Sequence, residues 1–402
     1  MEQEYQKNNI VFFLLGQTIS LFGSNLVQYA IFWHITLQTQ SGQMMTLYIL
    51  CGFLPTFVVS PFGGVWADRF NRKRLIVLAD SGIALSTLAL VILYAYGYQH
   101  IYLLLVMSAI RAFGTGIHTP AIGAVVPQLV PQDKLTFVNG LYSSIQSAVM
   151  LLAPLIAAVL ISAVPLETIF LIDVITAILG ISMLLFLVSI PTHHKALDTT
   201  KVRYAQDLKE GFYYISRHAY LKRFFLFSAI FFFFISPLAF LTPLQMVRSY
   251  GEEIWRLMAL EITFSAGMMA GGLLMASWGG FRNKIHTMAL ATFVVGIGTL
   301  ALGMKPLFLL YLAIMVVHGI TLPLFNTPAT VLLQTQVEEA YRGRVFGVFG
   351  MIHSSMMPVG MLLFGPLADW ISIELLLWGT GIILFGMGFF LLKSKVMLAV
   401  GE

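Results

Sequence analysis

The feature that most constrains this chain is a succession of apolar stretches, each about 20 or more residues long, separated by short polar breaks. They fall at about 10–37, 44–66, 75–96, 101–126, 138–163 and 167–190, then 222–249, 254–278, 285–303, 307–333, 343–366 and 372–392. A run of about 20 apolar residues crosses the hydrocarbon core of a bilayer as helix. Composition agrees: 58% of the 402 residues are hydrophobic and 10% are charged, against about 25% charged in a soluble domain. Such a surface would aggregate in water, so the solvent is lipid. The expectation is an all-α membrane protein of twelve transmembrane helices.

Lysine and arginine set the orientation, because cytoplasmic loops carry them in excess. With the amino terminus in the cytosol, 19 of the 23 basic residues fall inside, the largest groups being Arg69–Arg74 and Lys195–Arg223. Outside lie only Arg248, Arg256 and Lys305, and Arg111 is within a span. Both termini are therefore expected in the cytosol. The net charge of +5 is spent on this asymmetry and does not indicate nucleic acid. Cys51 stands alone and cannot form an intramolecular disulfide. The first apolar run is too long for the core of a signal peptide and is read as a retained span.

The chain repeats internally. His118-Thr119-Pro120-Ala121 returns as Asn326-Thr327-Pro328-Ala329, 208 positions later. Two parallel six-span repeats joined by a central loop are a transporter arrangement. The expected division is a bundle over 1–190, a linker over 191–221 and a second bundle over 222–402. Within the linker, Tyr204, Leu208, Phe212 and Ile215 share one helical face. That helix either lies in the headgroup layer or is a soluble connector.

Between the second and third spans the sequence reads Gly63-Gly64-Val65-Trp66-Ala67-Asp68-Arg69-Phe70-Asn71-Arg72-Lys73-Arg74. This resembles the loop signature of the major facilitator superfamily, with Asn71 where the family usually has Gly. Asn tolerates the left-handed backbone that Gly would supply. Within that superfamily the chain resembles the macrolide-efflux proteins and, next, their siderophore-exporter relatives. The resemblance is carried by Gly52–Pro55, Ile110–Ala121, Ile172–Val174, Glu261–Met268 and Gly343–Phe346. Where drug–proton antiporters often show spaced glycines and Gly-Pro in the fifth span, this chain has Ala148 and Ala153-Pro154. The resemblance implies the major facilitator fold, two pseudo-symmetric six-helix bundles. It also implies proton-driven efflux of an amphiphilic drug by a monomer in the bacterial cytoplasmic membrane, possible cooperation with a separate ribosome-protection protein included. The alternative is export of a siderophore or other endogenous metabolite.

The basic loop has its own physics. Gly64 would allow close helix approach. Asp68 could meet a helix amino end or an arginine, forming with Arg69, Arg72 and Lys73 a cytosolic gate. Asp80 reads as a structural partner of Arg72 or Arg74.

A charge at mid-bilayer costs about 2.5–3.5 kcal/mol on insertion scales, so buried charges are functional candidates. Arg111 lies near the middle of the fourth span, with Thr115 and His118 on its face. In the superfamily's exporters a matching arginine is linked to proton coupling. Asp173 and Glu261 lie about two turns into their spans from the outside and are candidates to load and release a proton. Polar stripes of Gln17, Ser24, Asn25 and Gln28 in the first span, and of Ser143, Gln146 and Ser147 in the fifth, are read with His118 as lining a substrate cavity. His34, His318 and His353 read as helix-packing hydrogen bonders, and no spacing suggests a metal site. No phosphate loop, dinucleotide fingerprint or hydrolase motif is present. The expectation is therefore a carrier without cofactor, not an enzyme, driven by an ion or solute gradient.

Overall fold

The computed structural model describes residues 2–131, 134–190 and 204–400, without the side chains of 2–7, 68, 136, 204–209, 339 and 340. Most of the linker, 191–203, and the Asp68 carboxylate of the expected gate thus lie outside the described residues. Fifteen helices follow in order: α1 (Glu2–Thr39), α2 (Gly42–Arg69), α3 (Arg72–Ala95), α4 (Ile101–Leu129), α5 (Leu135–Ala163), α6 (Leu166–Leu187), α7 (Tyr204–Arg217), α8 (Ala219–Phe234), α9 (Ser236–Tyr250), α10 (Ile254–Trp278), α11 (Lys284–Gly303), α12 (Phe308–Gln336), α13 (Glu339–Trp370), α14 (Ile373–Lys393) and α15 (Lys395–Leu398). Twelve segments are long and apolar enough to span a bilayer, and no strand occurs among the described residues. The expected seventh span is one such segment, Ala219–Tyr250, but is built from α8 and α9. Pro237, in the first turn of α9, marks the break, because proline has no backbone N–H to continue the ladder.

The chain forms two compact units, one of residues 1–35 with 47–201, the other of 36–46 with 202–402. In the first unit, small residues bring helices together. A Cβ added at Gly180 would sit 2.8 Å from the Gly16 carbonyl oxygen, and one at Gly23 would sit 3.2 Å from the Asp173 Cα. These contacts lock α1 onto α6. A Cβ at Gly63 would lie 3.0 Å from the Ile117 Cα. This is a close approach of α2 to α4 beside Gly64.

The basic loop is corrected at Asn71. Its backbone is extended, with φ −65°, and its side chain caps α3 by accepting from the Arg74 N–H at 3.1 Å. It fills the place through capping, the ordinary use of Asn at a helix start, not through a left-handed turn. Asn283 caps α11 in the same way. Left-handed backbone appears in that second loop instead, at Gly279 and Gly280, with φ of 72° and 76°.

In the second unit α10 packs on α12 and α11 on α14. A Cβ at Gly319 would stand 2.8 Å from both the Gly267 Cα and the Met268 nitrogen. Backbone cannot retreat as a side chain can, so Gly319→Leu is expected to pry α10 from α12. Overpacking typically costs about 1–3 kcal/mol or more. Size-exclusion profiles in detergent should show loss of the monodisperse protein, whereas Gly379→Leu, which meets nothing within 4 Å, should leave it intact.

The amphipathic helix α7 packs on α13. Tyr214 stacks on Tyr341 at 4.4 Å, and Glu210 pairs with Arg344 at 3.2 Å. Of the apolar stripe, Ile215 is buried and Phe212 is exposed, and Tyr214 beside Ile215 is buried. The turn at 36–46 is held by Asp369, whose carboxylate accepts from the Gly42 and Gln43 N–H groups at 2.8 and 2.9 Å and from Ser41 Oγ at 2.7 Å. Arg248 pairs with the same carboxylate at 2.8 Å. An acid thus caps the start of a helix in a different part of the chain.

Candidate functional site

Arg111 lies inside α4 and its side chain turns into the first unit. Its Nη1 pairs with Asp173 Oδ2 of α6 and donates to Thr87 Oγ1 of α3 at 2.5 Å. Its Nη2 donates to the Ser24 carbonyl of α1 at 3.3 Å. Ser24 Oγ and Thr87 Oγ1 donate to the two oxygens of Asp173, at 3.2 and 3.0 Å. Four helices therefore meet on one carboxylate and one guanidinium. Asp173 is 1% exposed and Arg111 9%, so each charge depends on the other in a medium that solvates neither. The Gly23 contact between α1 and α6 brings Ser24 to this point.

A chamber of about 130 Å³ opens beside the pair, lined by Arg111 with Ser24, Gln28, Tyr48, Thr56, Ser108 and Thr115 among others. Liquid water occupies about 30 Å³ per molecule, so the space suits a few waters or one polar group. A drug-sized ligand needs about 300–1,000 Å³. The chamber is therefore too small for a whole drug-sized ligand.

The sequence candidates divide around this site. Arg111, Asp173 and Gln28 meet at it. Gln17 is 2% exposed, and Asn25 donates to the Leu21 carbonyl of its own helix at 2.8 Å. Ser143 is exposed and Gln146 half-buried on α5. His118 lies two turns along α4, with Nε2 3.1 Å from Asp80 Oδ1. Asp80 thus meets a histidine, where an arginine of the basic loop was expected. Glu261, on α10 of the second unit, is half-buried and makes no ion pair or side-chain hydrogen bond among the described residues. Thr87, Tyr48, Thr56 and Ser108 were not singled out from the sequence. The spacing of Ser108, Arg111 and Thr115 along one face of α4 is the signal that could have found Ser108.

The basic loop ties helix ends together. Lys73 Nζ donates to the Leu185 and Val188 carbonyls at 3.0 and 2.7 Å, at the carboxyl end of α6, where a cation suits the helix dipole. Arg72 donates to the Ala67 carbonyl of α2 and the Ala124 carbonyl of α4, at 2.9 and 2.7 Å. Arg69 is exposed, at the end of α2.

The second repeat does not copy the charge pair. The shift of 208 positions carries Arg111 to Gly319 and Asp173 to Gly381, both packed closely against neighbouring helices. The histidine beside Gly319, His318, is buried, with Nδ1 3.0 Å from the Ile314 carbonyl of its own helix and Nε2 3.4 Å from Thr299 Oγ1 of α11. The positions of the buried charge pair are thus taken by closely packed glycines in the second repeat.

Comparison with known proteins places this architecture. Residues 13–357 match the Major Facilitator Superfamily. The chain is 31% identical over 387 residues to macrolide efflux protein A of Streptococcus pyogenes, covering 95% of each. It is 31% identical over 323 residues to the protein of that name from Enterococcus faecalis, covering 80% of this chain and 100% of that one. Among solved structures, a POT family transporter in complex with 5-aminolevulinic acid superposes with a TM-score of 0.73 at 12% identity, covering 96% of each chain. With its twelve spans, its two repeats and a family match across most of its length, this chain belongs to the major facilitator superfamily of membrane transporters, and it is not an enzyme.

Proposed function

We propose that the protein exports amphiphilic drugs, macrolide antibiotics foremost, from the bacterial cytoplasm in exchange for protons. The observation that carries this reading is the buried Arg111–Asp173 pair beside a polar chamber. A buried ion pair is weak evidence for stability, and an ionisable residue within a membrane span is a functional candidate by default. A carboxylate held by an arginine can be discharged by a proton or approached by a cationic amine. Competition between the two for one acid is the simplest basis for antiport. The likeness to the macrolide efflux proteins supports the substrate class. Both termini face the cytosol in this reading, Asp68, Arg69, Arg72 and Lys73 gate that side, and Glu261 is a second acid available to proton or substrate. The protein works as a monomer, with a separate ribosome-protection protein as its natural companion in resistance.

Expression in an efflux-deficient host tests the substrate. Erythromycin tolerance should rise at least about fourfold, a difference of about 0.8 kcal/mol in sustained gradient. If tolerance is unchanged across a macrolide panel while the protein is present in the membrane, macrolides are not its substrates.

A further inference from the structure

Below the Arg111–Asp173 pair, toward the basic loop, an apolar layer closes the first unit. Phe13 of α1, Ile76 of α3 and Ile122 of α4 belong to it, and Tyr142 of α5 packs against it. One helical turn from each of the first three stands a polar residue: Gln17, Asp80 and His118. Because α4 runs opposite to α1 and α3, these turns all lead in the same direction, away from the basic loop. The three side chains therefore share one level.

That level is polar, enclosed and incompletely satisfied. Gln17 and Asp80 are 2% and 4% exposed. Both polar atoms of Gln17, Asp80 Oδ2 and His118 Nε2 are buried without a hydrogen-bond partner. The His118 and Asp80 atoms approach to 3.1 Å but lack the alignment of a hydrogen bond. An unsatisfied buried polar group costs about 1–3 kcal/mol, so four at one level call for a function. A carboxylate beside an imidazole is a pair that can take a proton and share it. Tyr142, whose hydroxyl meets Gln146, is within electrostatic reach of Asp80.

Asp80 and Thr87 are seven residues apart on α3, and His118 and Arg111 seven apart on α4. The two polar levels are thus about 10 Å apart along the same pair of helices, with Thr115 of the chamber between them on α4. We propose that Gln17, Asp80 and His118 form a second, hydrated proton-binding site on the basic-loop side of Arg111 and Asp173. A proton leaving the Asp173 carboxyl passes by water to the His118 imidazole, which forms an imidazolium against the Asp80 carboxylate. It then leaves toward the basic-loop side and the neutral imidazole is restored. Among the described residues, the charged and titratable groups facing this site are Arg111 on α4, Asp173 on α6 and Tyr142 on α5, with Arg72 of α3 on the basic-loop side. This inference rests on proton–drug exchange as proposed above.

The test uses the full-length protein in liposomes, with erythromycin and a pH-sensitive dye, and two readings. Proton movement driven by drug reports coupling. Counterflow, the exchange of labelled for unlabelled drug with no net proton, reports folding and drug binding. In His118→Gln and Asp80→Asn, drug-driven proton movement should fall about tenfold or more, while counterflow stays within about twofold of the parent. Asp80→Glu, which keeps the carboxylate, should restore much of the proton movement. Gln17→Leu supplies the answer if the other variants fold poorly, since it should slow protons by drying the site without touching a titratable group. Parental proton movement in His118→Gln and Asp80→Asn overturns the second site. So does equal loss of both readings in every variant, which marks the cluster as structural. A parent that moves no protons with drug removes proton exchange itself, and this site with it.

Discussion

Asp173→Asn should abolish active efflux while leaving the protein in the membrane. The substitution keeps the size of the side chain but leaves one acceptor oxygen where two now take the Ser24 and Thr87 hydroxyls, and it leaves Arg111 buried without its counter-ion. Removing one partner of a buried pair costs about 3–5 kcal/mol, so thermal stability in detergent should also fall. Loss of transport alone would not separate structure from mechanism, because a weakened fold also transports poorly. The double substitution Arg111→Leu with Asp173→Leu separates them. Apolar replacement of both partners is often neutral or stabilising, so stability should return toward the parent. Efflux should stay at least about a hundredfold down, the scale of a lost proton-transfer group. Arg111→Lys should recover it only in part, because an ammonium cannot hold Asp173, Thr87 and the Ser24 carbonyl with one planar fork. A stable double variant that still pumps would make the pair structural.

In cells expressing the protein, a protonophore should raise drug accumulation sharply even with ATP held constant. One charge moving through about 100 mV releases about 2.3 kcal/mol, enough to sustain a roughly fifty-fold gradient of a neutral solute. Accumulation should therefore rise by up to about that factor when the gradient collapses. The chain carries no nucleotide-binding motif, so ATP depletion with an intact proton gradient should change little. Accumulation that follows ATP instead would end the secondary-transport reading.

The fold was legible because lipid leaves few solutions. Backbone groups must be satisfied within each span, so every crossing appears in the sequence as an uninterrupted apolar run. The break at Ile235, between α8 and α9, was passed over because apolar residues continue on both sides of it, and Pro237 is the one signal that marks it. Charges in apolar runs are costly, so Arg111 and Asp173 stood out individually. Their pairing did not, because they are 62 positions apart on different helices and only the close packing at Gly23 and its neighbours fixes which faces meet. Thr87 is an ordinary helix residue until a charge is placed against it. The same limit hid the meeting of Asp80 and His118. The role of Asn71 was misread because the family's usual Gly suggests a left-handed turn there, while the chain enters α3 in extended conformation and uses the side chain as a cap.

The central claim is that a proton passing through the Arg111–Asp173 pair drives the drug. The most direct measurement is drug accumulation by liposomes that contain the purified protein and an imposed pH gradient, with no ATP. The parent should concentrate erythromycin against its gradient when the interior is acidic and lose it when the gradient is dissipated. Asp173→Asn should equilibrate the drug and no more. Uphill accumulation without a pH gradient, or undiminished accumulation by Asp173→Asn, would contradict the account.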